Sequence, residues 1–298
     1  MIGKGTELQQ FLADEVNKYS GIAVPVRVSY LRRLFTKKLP LSKLHPNPDD
    51  EFCFPDIGPS MSIISGYEKD YRLFRGDMQG AHMAGSGIYD PIQVQKIRPD
   101  GYMILNGHHR WIAAMRAGIK AIPVKVINVT QNSDIRKYLS GVHNDRRVAL
   151  DLDEVVFASS VEPAEKPLRF PWNHFYKQPI RLGIPSLFYY LNEHNYDVWV
   201  YTSQLVSDDE IRRLLRHYHT GDVFVVTGAG SKGTRDKEKK NQLEKMIFEK
   251  YPVTYHIDQK SVLKISGATR EYEEFPLPGQ ALWSREVQDV FRKQDYNG

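Results

Sequence analysis

The sequence predicts an α/β protein of two domains. Three observations predict it. The chain has 298 residues, more than one domain of ordinary size holds. From residue 146 onward, short apolar strands alternate with amphipathic helices, the pattern of a parallel sheet covered by helices. Residues 91–129 show a different order, strand–turn–strand–helix–strand, with the turn at Arg98-Pro99-Asp100-Gly101. The expected domains are 1–141 and 146–298.

Composition narrows the function classes. Apolar residues make up 41% of the chain and charged residues 26%, an ordinary globular balance. No apolar run approaches the length of a membrane span, and MIGKGTELQQFLADEV has no signal-peptide core, so a cytoplasmic protein with no membrane partner is expected. The single cysteine, Cys53, excludes an internal disulfide and a cysteine-held zinc. A net charge of +5 leaves a phosphorylated or nucleic-acid partner open without requiring one.

In the N-terminal part, residues 6–18 read as an amphipathic helix and Val24–Tyr30 as a strand. Residues 45–60 are rich in Pro and Asp and read as irregular. Residues 75–89 hold Gly76, Gly80, Gly85 and Gly87, which predicts a mobile segment. Strands are expected at 91–97, 102–105 and 122–129, with Asn106 to Arg110 leading into a helix, WIAAMRAG, that stops at Gly118. Gly107, His108, His109 and Arg110 stand at the start of that helix. Free helix amides and three side chains able to donate hydrogen bonds suit a phosphate there.

In the C-terminal part, a buried strand at 148–150 runs into Asp151-Leu152-Asp153. Further strands are expected at 198–201, 223–226 and 253–257, and helices at 185–194, 207–218 and 237–250. Sites in such sheets form at the carboxyl ends of the strands. Asp151, Thr202 and Asp258 all stand there. Asp151 and Asp153 fall on one side of an extended chain. A divalent cation would neutralise the pair and leave one carboxylate free to attack phosphorus, the second serving as acid and base.

RVALDLDEV, DVWVYTSQ, a lysine at a helix start and VTYHIDQ follow one another in the order of the motifs of the haloacid-dehalogenase-like (HAD) superfamily, which the C-terminal part resembles over roughly 150 residues. The resemblance implies a Rossmann-like parallel-sheet domain with Asp151 as nucleophile and Asp153 as general acid and base. Thr202 would hydrogen-bond the transferring phosphoryl. Asp151, Asp258 and the carbonyl of Asp153 would hold Mg²⁺, an oxygen set suited to that ion. Lys240 fits the lysine position best, with Lys232, Lys237 and Lys239 as competitors. Gln259 departs from the second acidic residue common in that motif. Only about thirty residues separate Asp153 from the next helix, which implies little or no cap. Arg169, Trp172, His174, Phe175 and Tyr176 would lie in a flap near the mouth or pack on the sheet edge.

LSKLHPNPDD and DPIQVQKIRPDGYMILNGHHRWIAAMRAGIKAIPVKVI resemble the ParB/sulfiredoxin-like fold, an α+β domain in which the loop and helix start bind nucleotide phosphates. His108 occupies the place of the sulfiredoxin cysteine, so that activity is not expected. The GHHR form looks most like the free-serine-kinase branch. The resemblance then implies ATP or ADP as ligand and a carboxylate base among Asp49, Asp50 and Glu51, Glu51 being the candidate. Together these readings describe a Mg²⁺-dependent phosphohydrolase joined to a nucleotide-binding domain, with kinase chemistry as that domain's extension, acting on a phosphorylated small molecule. The alternatives are a nucleic-acid-binding protein that trims phosphate ends, or a non-catalytic nucleotide sensor.

Overall fold

The computed structural model describes residues 6–19, 21–228, 237–266 and 271–297, the side chains of 237–240 and 297 excepted. The chain passes between two compact units at Asn128 and Val129.

The first unit contains α1 (Thr6–Tyr19), β1 (Val24–Pro25), α2 (Tyr30–Arg33), β2 (Lys37–Pro40), β3 (Leu44–His45), α3 (Met61–Leu73), α4 (Met78–Met83), β4 (Ile92–Arg98), β5 (Tyr102–Asn106), α5 (His108–Arg116) and β6 (Ala121–Val126). Its sheet runs β2-β6-β4-β5-β3, with β1 also on β4. The sheet is mixed: β6 and β4 are parallel, as are β5 and β3, and the other pairs are antiparallel. Trp111, Ile112, Ala113 and Ala114 of α5 are fully buried and join Ile64, Tyr71, Val94, Ile104 and Val124 in one core.

Two expectations change here. The strand expected over Val24–Tyr30 is only two residues long. Beyond Pro25 the backbone of Val28 is taken by a side chain: its N–H donates to Asn128 Oδ1 and its carbonyl accepts from Asn128 Nδ2. That amide satisfies what a neighbouring strand otherwise would. The glycine-rich stretch 75–89 holds a helix, α4, capped by Asp77 and tied by Ser86 Oγ donating to Asp70 at 2.7 Å.

The second unit contains α6 (Asn132–Gly141), β7 (Arg146–Asp151), α7 (Trp172–Phe175), α8 (Ile184–Glu193), β8 (Tyr196–Thr202), α9 (Asp208–His217), β9 (Val223–Thr227), α10 (Lys237–Lys250), β10 (Val253–Ile257), β11 (Ser261–Ser266), β12 (Glu271–Pro276) and α11 (Trp283–Asn297). Its sheet order is β12-β11-β10-β7-β8-β9. The four strands β10, β7, β8 and β9 are parallel, and β11 and β12 extend the edge as an antiparallel hairpin. Period-two alternation sorts the side chains to two faces. Val198, Val200 and Val225 pack with Leu187, Phe188 and Leu191 of α8 and Val287 and Phe291 of α11. Trp199, Phe224 and Val226 pack with Ile135 and Leu139 of α6 and with Leu243, Met246 and Ile247 of α10.

The sequence boundary fell at 141–146, whereas α6 sits in the second unit. The reason is apolar: Ile135 and Leu139 are buried against the β8–β9 face, and the ring of Tyr138 stacks on Phe224 at 4.0 Å. The hairpin β11–β12 and α11 were not foreseen. Among the described residues no helix is long and apolar enough to cross a membrane.

Gly183 starts α8 at φ +87°, and a Cβ there would lie 1.9 Å from Ser284 Oγ of α11. Gly183→Ala should therefore lower stability by about 1–3 kcal/mol through backbone strain and overpacking. Gly141→Ala, where a Cβ meets nothing within 4 Å, should not. Urea midpoints of the two variants beside the parent check this, and equal midpoints would contradict the packing of α8 on α11.

Candidate phosphoryl-transfer and nucleotide sites

The parallel register brings three strand ends to one edge. Ile257 lies opposite Leu150, and Asp151 lies opposite Tyr201. Asp258, Asp151 and Thr202 therefore emerge within one residue of the same row. The chain turns at once after β7. Asp151 Oδ1 accepts the N–H of Asp153 (2.7 Å) and of Glu154 (2.8 Å), and Leu152–Val156 form one π turn closed by the Phe157 N–H on the Leu152 carbonyl (2.8 Å). Such single π turns are uncommon and concentrate at functional sites.

Asp153 is held from both sides. Thr202 Oγ1 donates to its Oδ2 (2.6 Å) and Gln204 Nε2 donates to its Oδ1 (2.7 Å). Gln204 was not among the expected site residues. Its signal was its position, two residues beyond Thr202 in the same turn, where its N–H also donates to Thr202 Oγ1 (3.0 Å). Asp258 Oδ1 accepts the N–H of Lys260 (2.6 Å) and Ser261 (2.8 Å). Gln259, where an acid was the commoner residue, donates through Nε2 to the Glu154 carbonyl (2.9 Å). The structure thus joins Asp151, Asp153 and Thr202 through hydrogen bonds and links Asp258 to them through its neighbour Gln259. Among the described residues no three His, Cys, Asp or Glu side chains form a ready metal cage. The hydrogen bonds of Asp151 and Asp258 all fall on one carboxylate oxygen of each, and oxygen donors of this kind suit Mg²⁺. The Lys240 side chain and Lys232 lie outside the described residues.

The segment after the π turn is tied by bridges of Phe157 to Ile180 and Ala164 to Arg181. Trp172 and Tyr176 pack on His217 at the end of α9, with ring centroids 4.3 and 5.7 Å away. Phe170 and Phe175 are exposed.

In the first unit, Gly107 holds φ +105° ahead of α5, and a Cβ there would come within 2.4 Å of Ile92 Cγ2, so only glycine fits. The two histidines are used as acceptors. The Asn47 N–H donates to His108 Nε2 (3.2 Å) and the Ser60 N–H donates to His109 Nε2 (3.1 Å). Phe52 stacks on His108 at 5.2 Å and meets His109 edge-on at 4.9 Å. Arg110 Nη1 donates to the carbonyl of Asp90 (2.6 Å). The side chains expected to grip phosphate therefore fasten the loops at 47–60 and 87–90. The acid brought toward His108 is Asp50, whose Oδ2 lies 3.6 Å from Nδ1, and not Glu51.

Burial pushes His108 down to about 4, against an opposing pull from Asp50, and lowers His109 as well. Both rings are neutral at pH 7. Protonation favours the unfolded chain, whose histidines titrate near about 6.5. The stability of the first unit should thus fall as pH drops from about 6.5 toward 4, by up to about 3 kcal/mol for His108. His108→Gln, which keeps an acceptor for the Asn47 amide, should flatten that slope. Urea unfolding at pH 7, 5.5 and 4.5 measures it, and identical slopes would show that His108 is not the buried neutral group.

No curated protein matches the chain. Among solved structures, the C-terminally truncated chromosome-partitioning protein ParB from Caulobacter crescentus aligns twice, once complexed with CTP-gamma-S and once with the centromeric parS site. Both are 24% identical over the aligned part, with TM-scores of 0.24 and 0.23, covering 37% and 36% of this chain. The alignments span 56% and 51% of those chains, about half their length. Residues 78–141, which include Gly107 to Arg110, match the family model of the ParB N-terminal domain, and the part of the chain they occupy is ParB-like.

Proposed function

We propose that the second unit is a Mg²⁺-dependent phosphohydrolase of the HAD kind, working through an aspartyl phosphate on Asp151. The observation that carries this reading is the pair of hydrogen bonds from Thr202 and Gln204 to Asp153, across from an Asp151 oxygen already fixed by two backbone amides. An Asp151 oxygen attacks phosphorus, the bond to the leaving oxygen breaks, and Asp153 donates the proton that the leaving oxygen takes. Asp153, now a carboxylate, takes a proton from water, whose oxygen attacks the acyl phosphate and releases inorganic phosphate. Mg²⁺, held by Asp151, Asp258 and the Asp153 carbonyl, would screen the charge between carboxylate and phosphate. The short flap, with no large cap, supports an open site.

Asp151→Asn should keep the fold and reduce hydrolysis of 4-nitrophenyl phosphate to background, since an amide cannot form the acyl phosphate. Asp153→Asn should cost about 10²- to 10⁴-fold in kcat. Excess chelator should abolish turnover and Mg²⁺ should restore it. Activity of Asp151→Asn within about tenfold of the parent, beyond the reach of any nucleophile loss, would sink the reading.

A second reading concerns the first unit. The ParB N-terminal match and the amide-bearing start of α5 support a nucleotide site for ATP, ADP or CTP, with kinase chemistry as its furthest extension and Asp50 nearer than Glu51 to His108. Calorimetric titration of the Asp151→Asn chain with the three nucleotides tests it. Arg110→Ala, which frees the 87–90 loop beside α5, should weaken binding through the loop and not through a lost phosphate contact. Absence of binding below millimolar concentration would leave the motif purely structural.

A further inference from the structure

Beside the Asp151 turn, the second unit contains a cavity of about 350 Å³ lined by Arg181, Gln259, Lys260, Leu277, Ala281 and Trp283, with two glutamates in its wall. Its volume falls at the lower end of small-molecule sites. Two of its lining residues join it to the turn. Gln259 Nε2 and Arg181 Nη2 both donate to the Glu154 carbonyl (2.9 and 3.1 Å), while the Glu154 N–H donates to Asp151 Oδ1.

The walls are rigid and their acids are spent internally. Glu286 accepts the N–H groups of Gly279, Gln280 and Ala281 (2.9, 2.7 and 2.7 Å), which fixes one side on the first turn of α11. Glu162 accepts from Arg181 (2.5 Å) and from the Ser159 N–H (2.8 Å). Trp283 is braced twice: the Arg181 guanidinium lies 4.9 Å over its ring, and its Nε1 donates to the Asp258 carbonyl (3.2 Å). The exposed Lys260 ammonium makes no ion pair among the described residues. A fixed indole, two apolar side chains and one free cation make a seat for a planar ring bearing electron-rich substituents.

We infer that this cavity holds the leaving-group side of the substrate, so that the enzyme acts on small ring-bearing phosphomonoesters of the aryl or nucleoside-monophosphate kind. The inference rests on the phosphohydrolase reading for its chemistry, but the binding itself can be measured apart from turnover. A cavity of this size takes one ring system.

The test uses the full chain and two readouts. Turnover of 4-methylumbelliferyl phosphate is compared with that of ring-free glycerol 2-phosphate. Ala281→Trp, which fills the cavity, and Lys260→Ala, at an exposed position, should each raise KM for the ring ester about tenfold and leave glycerol 2-phosphate within about twofold, the range one ring contact is worth. Binding of the ring ester to the Asp151→Asn chain should weaken equally with the same two substitutions. If neither phosphate is hydrolysed, the phosphohydrolase reading fails and the binding arm decides the cavity alone. Unchanged binding in both variants would overturn the inference. So would a 5′-phosphorylated oligonucleotide cleaved as fast as the ring ester by the parent and by Ala281→Trp, which would point to nucleic-acid ends.

Discussion

The second unit is organised around a carboxylate that must sit at the end of a buried strand. Asp151 follows Val148, Ala149 and Leu150, all buried between parallel neighbours, and emerges where no further ladder bonds exist. Its charge is accommodated because the chain bends back at once and presents two N–H groups to one oxygen. That bend costs a regular helix start, and the π turn is the result. It also turns the Glu154 carbonyl outward, where Gln259 and Arg181 meet it. Arg181 then recruits Glu162 and covers Trp283, and Trp283 opens α11. One electrostatic demand at a strand end therefore fixes the flap, the 258–260 turn and the C-terminal helix relative to one another.

The sheet that presents this turn is stable because its strands are apolar on both faces. Trp199 and Val200 are adjacent and both fully buried, one toward α6 and α10 and the other toward α8 and α11. Asp197, an acid buried within this core, is paired. Tyr251 donates to Asp197 Oδ2 (2.6 Å), and Asn144 donates to Asp197 Oδ1 (2.7 Å), so a buried acid is satisfied at both oxygens. Tyr196, Arg146 and Asp295 form a similar set that pins the far end of α11. These networks are demanding, since an unpaired member is costly in a medium of low dielectric. They hold the frame behind the carboxylates at the strand ends.

In the first unit the polar residues at the head of α5 have a different duty from the one their identities suggest. A histidine ring with one nitrogen accepting a backbone amide is neutral there and acts as a staple. The loop before α3 carries four prolines and several acids and would otherwise have few regular hydrogen bonds. His108, His109 and Phe52 give it a fixed course past the helix start. Any anion bound there meets a surface whose shape is set by those rings and whose attraction comes from main-chain amides.

By itself the sequence determined what depends on local pattern. The four parallel strands of the second unit and its helices 184–193 and 208–217 lie within a residue or two of their expected places, because alternation and helical spacing are properties of neighbouring residues. The placement of Asp151, Thr202 and Asp258 at strand ends was legible for the same reason. Only the tertiary structure decided the remainder. Asn128 replaced a strand partner for Val28 a hundred residues away, α6 joined the second unit because Ile135 and Leu139 found the β8–β9 face, and Gln204 reached Asp153 across two turns. Hydrogen bonds and contacts between distant segments leave no periodic trace, so a side chain such as His108 can look like a phosphate donor in the sequence and be an amide acceptor in the fold.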